Sequence, residues 1–195
     1  QEDYKFYGVF DGHCGTRAAK FASRALHLNL EGARETETGV PAAAEGVAVA
    51  AAAAAAVSED DSGTTATVAL VYPDVTVVAH VGDSRAGVVW GRPGRAGGAT
   101  EDHTPYSASE RARVEANGGS VEHRGVLRVN GELAVTRTLG NRRLSRDGVL
   151  SSEPDVVFNT AFLVLASDGL WDVVSSQEAV DMVKEVILGS SPSPF

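Results

Sequence analysis

Residues 66–72 and 75–81 are two apolar, β-branched runs separated by Pro73-Asp74 alone. A proline–aspartate link between such runs marks a β-hairpin, so the chain must build antiparallel sheet. Further strands are expected at residues 6–10, 86–90, 126–129 and 162–166, with a short one near Val121. Between them lie helical segments. Ala18, Phe21, Ala22, Ala25 and Leu26 recur at helical spacing and predict an amphipathic helix over residues 16–30. Ser107 and Glu110 stand at capping-box spacing and open a helix that Asn117-Gly118-Gly119 closes. Ser175 and Glu178 repeat the pattern before a core face of Val180, Val183, Val186 and Ile187, stopped by Gly189 and a Ser/Pro tail. Residues 31–45 and 91–98 read as loops, and the alanines at 50–56 as a short helix or low-complexity sequence. Hairpins with flanking helices, and no regular β-α-β alternation, point to an α+β layered sandwich rather than a doubly wound parallel sheet.

The 195 residues form one domain, or a large part of one, with 43% hydrophobic and 22% charged residues, an ordinary globular balance. The net charge of −9 argues against nucleic acid as a partner, because phosphate-backbone binding rests on clustered Lys and Arg. A phosphorylated substrate would be repelled too, unless cations or local arginines reverse the field. Cys14 is the single cysteine, so no internal disulfide forms and a reducing, intracellular compartment is expected. Gln1-Glu2-Asp3-Tyr4-Lys5 lacks the basic and apolar regions of a signal peptide, and residues 46–57 are too short and alanine-rich to span a membrane.

Chemistry concentrates at two strand ends. Phe10-Asp11-Gly12-His13-Cys14-Gly15 follows the first strand, and Ala166-Ser167-Asp168-Gly169-Leu170-Trp171-Asp172 follows another. Alone, Asp11 reads as a turn residue. Beside Gly12, whose bare backbone exposes a carbonyl, it offers the hard oxygen ligands that Mg²⁺ and Mn²⁺ require. His13 alone reads as a structural histidine; next to a metal-ligating carboxylate it becomes a candidate general acid. No histidine pair has zinc-binding spacing. Asp168 directly follows an apolar run and reads as a ligand, whereas Asp172 also suits the dipole of the last helix. Asp83, in Gly82-Asp83-Ser84-Arg85, reads first as a turn residue bonded to local backbone. Glu2 reads as a solvated chain end, unless a reversal near residues 4–6 brings it to the face of Asp11. The hydroxyl-rich segment 60–67 lacks a nucleophile elbow and reads as a strand-entry turn with its hydroxyls packed inside.

Taken together, the motifs resemble the metal-dependent serine/threonine phosphatases of the protein phosphatase 2C family. The resemblance runs in order through Phe-Asp-Gly-His-Cys-Gly at 10–15, Ser-Gly-Thr-Thr-Ala at 62–66 and Val-Gly-Asp-Ser-Arg-Ala at 81–86. It continues with Glu-Asp-His at 101–103, Gly-Gly-Ser-Val at 118–121, Val-Asn-Gly-Glu-Leu-Ala-Val-Thr-Arg at 129–137 and Ala-Ser-Asp-Gly-Leu-Trp-Asp at 166–172. It implies a four-layer sandwich, two central antiparallel sheets flanked by helices, with a two-metal Mn²⁺ or Mg²⁺ site at one end. By the same resemblance Asp11 bridges the metals, the Gly12 carbonyl binds one, Asp168 ligates the other and His13 is the general acid. Asp172 and Asp83 help hold a weaker third metal, and Glu2 matches the family's metal-side glutamate. Metal-activated water then attacks phosphorus in line, and the partners are phosphorylated proteins, met by a monomer. The alternative is a non-catalytic regulatory module of the same fold.

Four departures accompany the resemblance. The arginine that the family carries before its Asp-Gly-His motif has no counterpart, and the Glu2-Asp3 pair stands unusually close to Asp11. The Asp-Asn motif beyond the last helix is absent, so the stretch is expected to lack both ends of the domain. Asn141 replaces a frequent aspartate, which predicts a weakened metal-side network. Cys14 replaces a small residue.

Overall fold

The computed structural model describes residues 4–32, 61–89, 96–98, 100–159 and 162–188. Strands β4 (Ala66–Val71) and β5 (Thr76–Val81) form the expected hairpin, in register from Ala66↔Val81 to Val71↔Thr76. The Pro73-Asp74 turn is closed by the Tyr72 amide, which donates to the Val75 carbonyl at 2.9 Å. Strand β1 (Lys5–Val9) pairs with β4, and a strand at Asp155–Asn159 pairs with β5, giving an antiparallel sheet of four strands.

The hairpin is apolar on both faces because both are covered. One face (Ala66, Val68, Leu70, Val77, Ala79, Val81) packs against Ala22 and Leu26 of helix α1 (Arg17–Gly32) and against Leu139. The other face (Ala69, Val78) meets Ala86, Leu163 and Leu165 of a second antiparallel sheet. That sheet comprises β6 (Arg85–Val89), β7 (Ala96–Gly98) and a strand at Leu163–Ala166. Its outer side carries the last helix, Ser176–Leu188, which buries Ala179 and Val180. The order helix, sheet, sheet, helix is the α+β four-layer sandwich. Each fully buried Val or Leu contributes about 1.5–3 kcal/mol to it.

At one end of the sandwich lies a small sheet of short strands, β2 (Gly12–His13), β3 (Gly63–Thr64) and β10 (Leu139–Gly140), with β3 in the middle. Beside it, helix α2 (Ala108–Ala116), hairpin β8 (Val121–Arg124)–β9 (Val126–Val129) and helix α3 (Arg142–Arg146) enclose a second core of Val114, Val129, Leu133, Leu144, Val149 and Leu150. The remaining elements are β11 (Asp155–Asn159), β12 (Leu163–Ala166), α4 (Asp168–Trp171) and α5 (Ser176–Leu188).

Several expectations change. Residues 5 and 6 make no reversal, since both lie inside β1, with Phe6 paired with Leu70. Glu2 itself, residues 33–60 and residues 90–95 fall outside the described residues. Ala96–Gly98, expected in a loop, forms β7 against β6. The Ser175–Glu178 capping box is present, with the Ser175 amide donating to Glu178 Oε2 at 2.8 Å and the Glu178 amide donating to Ser175 Oγ at 3.2 Å. Val186 in α5 points outward and is 82% exposed.

The other box fails for a physical reason. Glu110 is buried and engaged elsewhere. It accepts from Arg113 Nη2 at 3.0 Å, Thr136 Oγ1 at 2.6 Å, and Arg137 at 2.8 and 3.1 Å. Burial pushes its pKa up, but these donors outweigh burial and hold it down at about 2, against an ordinary 4.5. A depressed folded-state value gives stability that is complete above pH 4.5 and is lost as pH falls toward 2. Glu110→Gln is therefore expected to cost about 2 kcal/mol at pH 7. Urea unfolding across pH should show the gap between variant and parent closing between pH 4.5 and 2.

Candidate active site

Asp11 lies between β1 and β2, and its backbone is held from both sides by β3–β4. Its amide donates to Thr65 Oγ1 at 3.1 Å, and its carbonyl accepts from the Thr65 amide at 2.9 Å and from Thr64 Oγ1 at 3.0 Å. Thr65 Oγ1 also lies 2.6 Å from Ser84 Oγ, and Thr67 Oγ1 donates to the Ser84 carbonyl at 2.8 Å. These hydroxyls are buried, as expected for residues 60–67, and they join the Asp11 turn to the Gly82-Asp83-Ser84 turn. Gly82 has φ +103°, and a Cβ there would stand 2.6 Å from Thr65 Cγ2. Only glycine permits that turn to close on the threonine.

The two turns and the start of α4 gather carboxylates. Asp168 reaches hydrogen-bonding proximity to Asp11, and its pKa is raised by burial and then by Asp11. Asp83 is raised from 3.8 to about 6 by burial, by Asp168, and more weakly by Asp102 and Asp11. Asp172 caps the C-terminus of α4 and is exposed, and its charge acts on Arg85. Arg85 does not neutralise the cluster, because Asp102 takes its guanidinium in a two-pronged bridge at 2.9 and 2.7 Å. Trp171, at the end of α4, anchors the helix that begins with Asp168. Its indole N–H donates to the Ala166 carbonyl at 2.8 Å and reaches the Arg85 carbonyl at 3.2 Å, so α4 is tied to β12 and β6. Asp102, Thr65 and Trp171 all lie within the motif segments, but no local pattern assigns them these contacts.

Half-buried carboxylates that raise the pKa of Asp83 and Asp168, with no arginine or lysine among the described residues hydrogen-bonded to them, form an oxygen-only donor set. That set fits a hard divalent cation. A second group, His80, His103 and Asp155, brings ligand atoms within 4.8 Å of one another. The ligand atoms of His103 and Asp155 are already engaged, whereas His80 Nδ1 is buried without a hydrogen-bond partner. His103 Nδ1 accepts from the Gly82 amide at 3.2 Å, so its Nε2 carries the proton and donates to Asp155 at 3.1 Å. Arg137 occupies the other Asp155 oxygen at 2.8 Å. The His80 and His103 rings stack at 4.3 Å and 3°, which keeps their in-plane lone pairs from converging. Burial lowers His80 to about 3, leaving it neutral. This group buttresses the Gly82–Asp83 turn from behind.

His13 lies in β2, paired with Gly63 of β3. Sequence alone puts Asn141 on the metal side of the site, but its carboxamide meets the histidine instead, with Oδ1 2.6 Å from His13 Nε2. Cys14 is exposed.

Comparison with known proteins agrees with this arrangement. The sequence model for Protein phosphatase 2C matches residues 1–193. The chain belongs to the protein phosphatase 2C family. It is 41% identical to probable protein phosphatase 2C 69 of Arabidopsis thaliana over 92% of its own length and 52% of that protein. It is 39% identical to probable protein phosphatase 2C 59 of Oryza sativa subsp. japonica over 95% of its length and 58% of that protein. The chain thus spans a little over half of these relatives. Among solved structures, a C. elegans sex determining protein superposes with TM-score 0.86 at 24% identity, covering 97% of this chain and 49% of that one. Serine-threonine phosphatase 2C from Toxoplasma gondii superposes with TM-score 0.80 at 24% identity, covering 99% and 77%. These likenesses establish the protein phosphatase 2C fold, and the family is metal-dependent.

Asp83 supplies a test of the acidic cluster that needs no substrate. Its folded-state pKa lies above the unfolded value, so the penalty is absent below pH 3.8 and complete above about pH 6. Asp83→Asn should therefore raise the melting temperature of the metal-free chain at pH 7.5, and the difference should vanish below pH 3.8. Thermal unfolding in EDTA reads the first effect. Adding Mn²⁺ should raise the melting temperature of the variant less than that of the parent.

Proposed function

We propose that this chain is the core of a protein serine/threonine phosphatase that uses Mn²⁺ or Mg²⁺ to hydrolyse phosphoserine and phosphothreonine on protein substrates. The observation that carries the reading is the convergence of Asp11, Asp83 and Asp168, with no described cation hydrogen-bonded to them and with His13 two positions after Asp11. In this reading Asp11, the Gly12 carbonyl and Asp168 hold a pair of cations, and Asp83 with Asp172 serves a weaker third. When bound, the cations offset phosphate charge and make water acidic enough to act as nucleophile near neutral pH.

The chain's own residues do the rest. The Asp11 carboxylate is aimed by three backbone hydrogen bonds through Thr64 and Thr65, so it needs no reorganisation when a ligand arrives. The helix that begins with Asp168 is tied to β12 by the Trp171 indole. His13 gives a proton to the serine or threonine oxygen as its bond to phosphorus breaks, while the oxygen of water forms the new bond. The products are inorganic phosphate and the free hydroxyl. No cysteine or serine nucleophile is needed.

The test is Mn²⁺-dependent phosphate release from a phosphothreonine peptide. Asp168→Asn should lower it by at least about 100-fold, as loss of a charge-stabilising contact does. The melting temperature in EDTA should not fall. Release that needs no metal, or that survives the substitution, contradicts the reading.

A further inference from the structure

Asn141 occupies the N-cap position of α3, where asparagine ordinarily accepts from the helix backbone, yet its side chain makes no capping bond. It is 1% exposed and adopts φ 46°, ψ 55°, the left-handed region, which asparagine tolerates better than other side chains. A residue that forgoes its cap and takes a strained backbone is held there by other contacts.

Those contacts determine its orientation. Asn141 Nδ2 donates to the Asp61 carbonyl at 2.8 Å. A carbonyl only accepts, so the amide nitrogen must face Asp61 and Oδ1 must face inward. Oδ1 accepts from Thr138 Oγ1 at 3.1 Å and lies 2.6 Å from His13 Nε2. A carboxamide oxygen carries no proton, so the proton in that short contact belongs to His13 Nε2. Thr138 Oγ1, 3.3 Å from the same nitrogen, can accept as well. The pair rests on bare backbone at Gly63, where a Cβ would collide with both Asn141 Oδ1 and His13 Nε2. Among the described residues no hydrogen bond engages His13 Nδ1.

We propose that Asn141 is a positioning residue that keeps a proton on His13 Nε2, so that the imidazolium gives its Nδ1 proton to the departing serine or threonine oxygen and is left as the Nε2–H tautomer. The proton on Nδ1 leaves with the alcohol, Nε2–H stays bonded to Asn141, and solvent reprotonates Nδ1. This deepens the phosphatase reading and rests on it for the transfer step, though not for the tautomer.

Two measurements test it separately. Imidazole ¹⁵N shifts of the metal-free chain should show neutral His13 as Nε2–H alone; the Nδ1–H form, or a mixture, overturns the lock without any assay of activity. Kinetics then compare a phosphothreonine peptide, whose alkoxide needs protonation, with p-nitrophenyl phosphate, whose leaving group does not. Asn141→Leu should lower kcat on the peptide at least about 10-fold while leaving p-nitrophenyl phosphate nearly unchanged. Asn141→Asp, which keeps the acceptor, should restore the peptide rate. Equal losses on both substrates overturn a positioning role. If Asn141→Leu does not fold, the tautomer and the Asn141→Asp substrate ratio decide. Absence of metal-dependent release from the parent chain refutes the phosphatase reading and the transfer step with it, and the shifts still judge the lock.

Discussion

The hydroxyl of Thr65 is the point at which the two halves of the site are joined. It accepts from the Asp11 amide and meets Ser84 Oγ, so one buried side chain fixes both the turn after β1 and the turn after β5. The glycine at 82, the stacked histidines behind it and the short central strand β3 each keep that hydroxyl, or the turns it joins, in place. Without it two buried polar partners would be left unmatched, at about 1–3 kcal/mol each. The carboxylates of Asp11 and Asp83 would also lose their common frame.

Two carboxylates, one buried and one half-buried, illustrate opposite uses of charge in one molecule. Glu110 is surrounded by Arg113, Arg137 and Thr136, and is held ionised far below the usual range. It links α2 to the segment before β10 and has no capacity left for a ligand. Asp83 is surrounded by acids and by a turn whose nearest arginine is committed to Asp102. It is destabilising as it stands, and a divalent cation is what would relieve it. The first arrangement contributes to folding, and the second holds electrostatic energy available for binding.

Much of this architecture was legible in the residues. The β4–β5 hairpin, α1 and the α5 capping box follow from local periodicity and turn chemistry. The motif order pointed to the sandwich. The short strands β2, β3 and β10 were not legible, because two-residue pairings leave no period. Strand β11 was missed although Val156-Val157-Phe158 is apolar, since it lies beyond turn-rich sequence. The Ser107 box misled because a tertiary demand, two arginines competing for Glu110, outweighed a local cap. Asn141 could not be assigned from sequence for the same reason: its partner, His13, lies 128 positions away.

An anomalous difference map from crystals grown with Mn²⁺ tests most directly whether the acidic cluster is a cation site. Peaks within coordination distance of Asp11 and Asp168 are predicted, with none at His80, His103 and Asp155. Density at the histidine group alone, or none at Asp11 and Asp168 at saturating Mn²⁺, would contradict it.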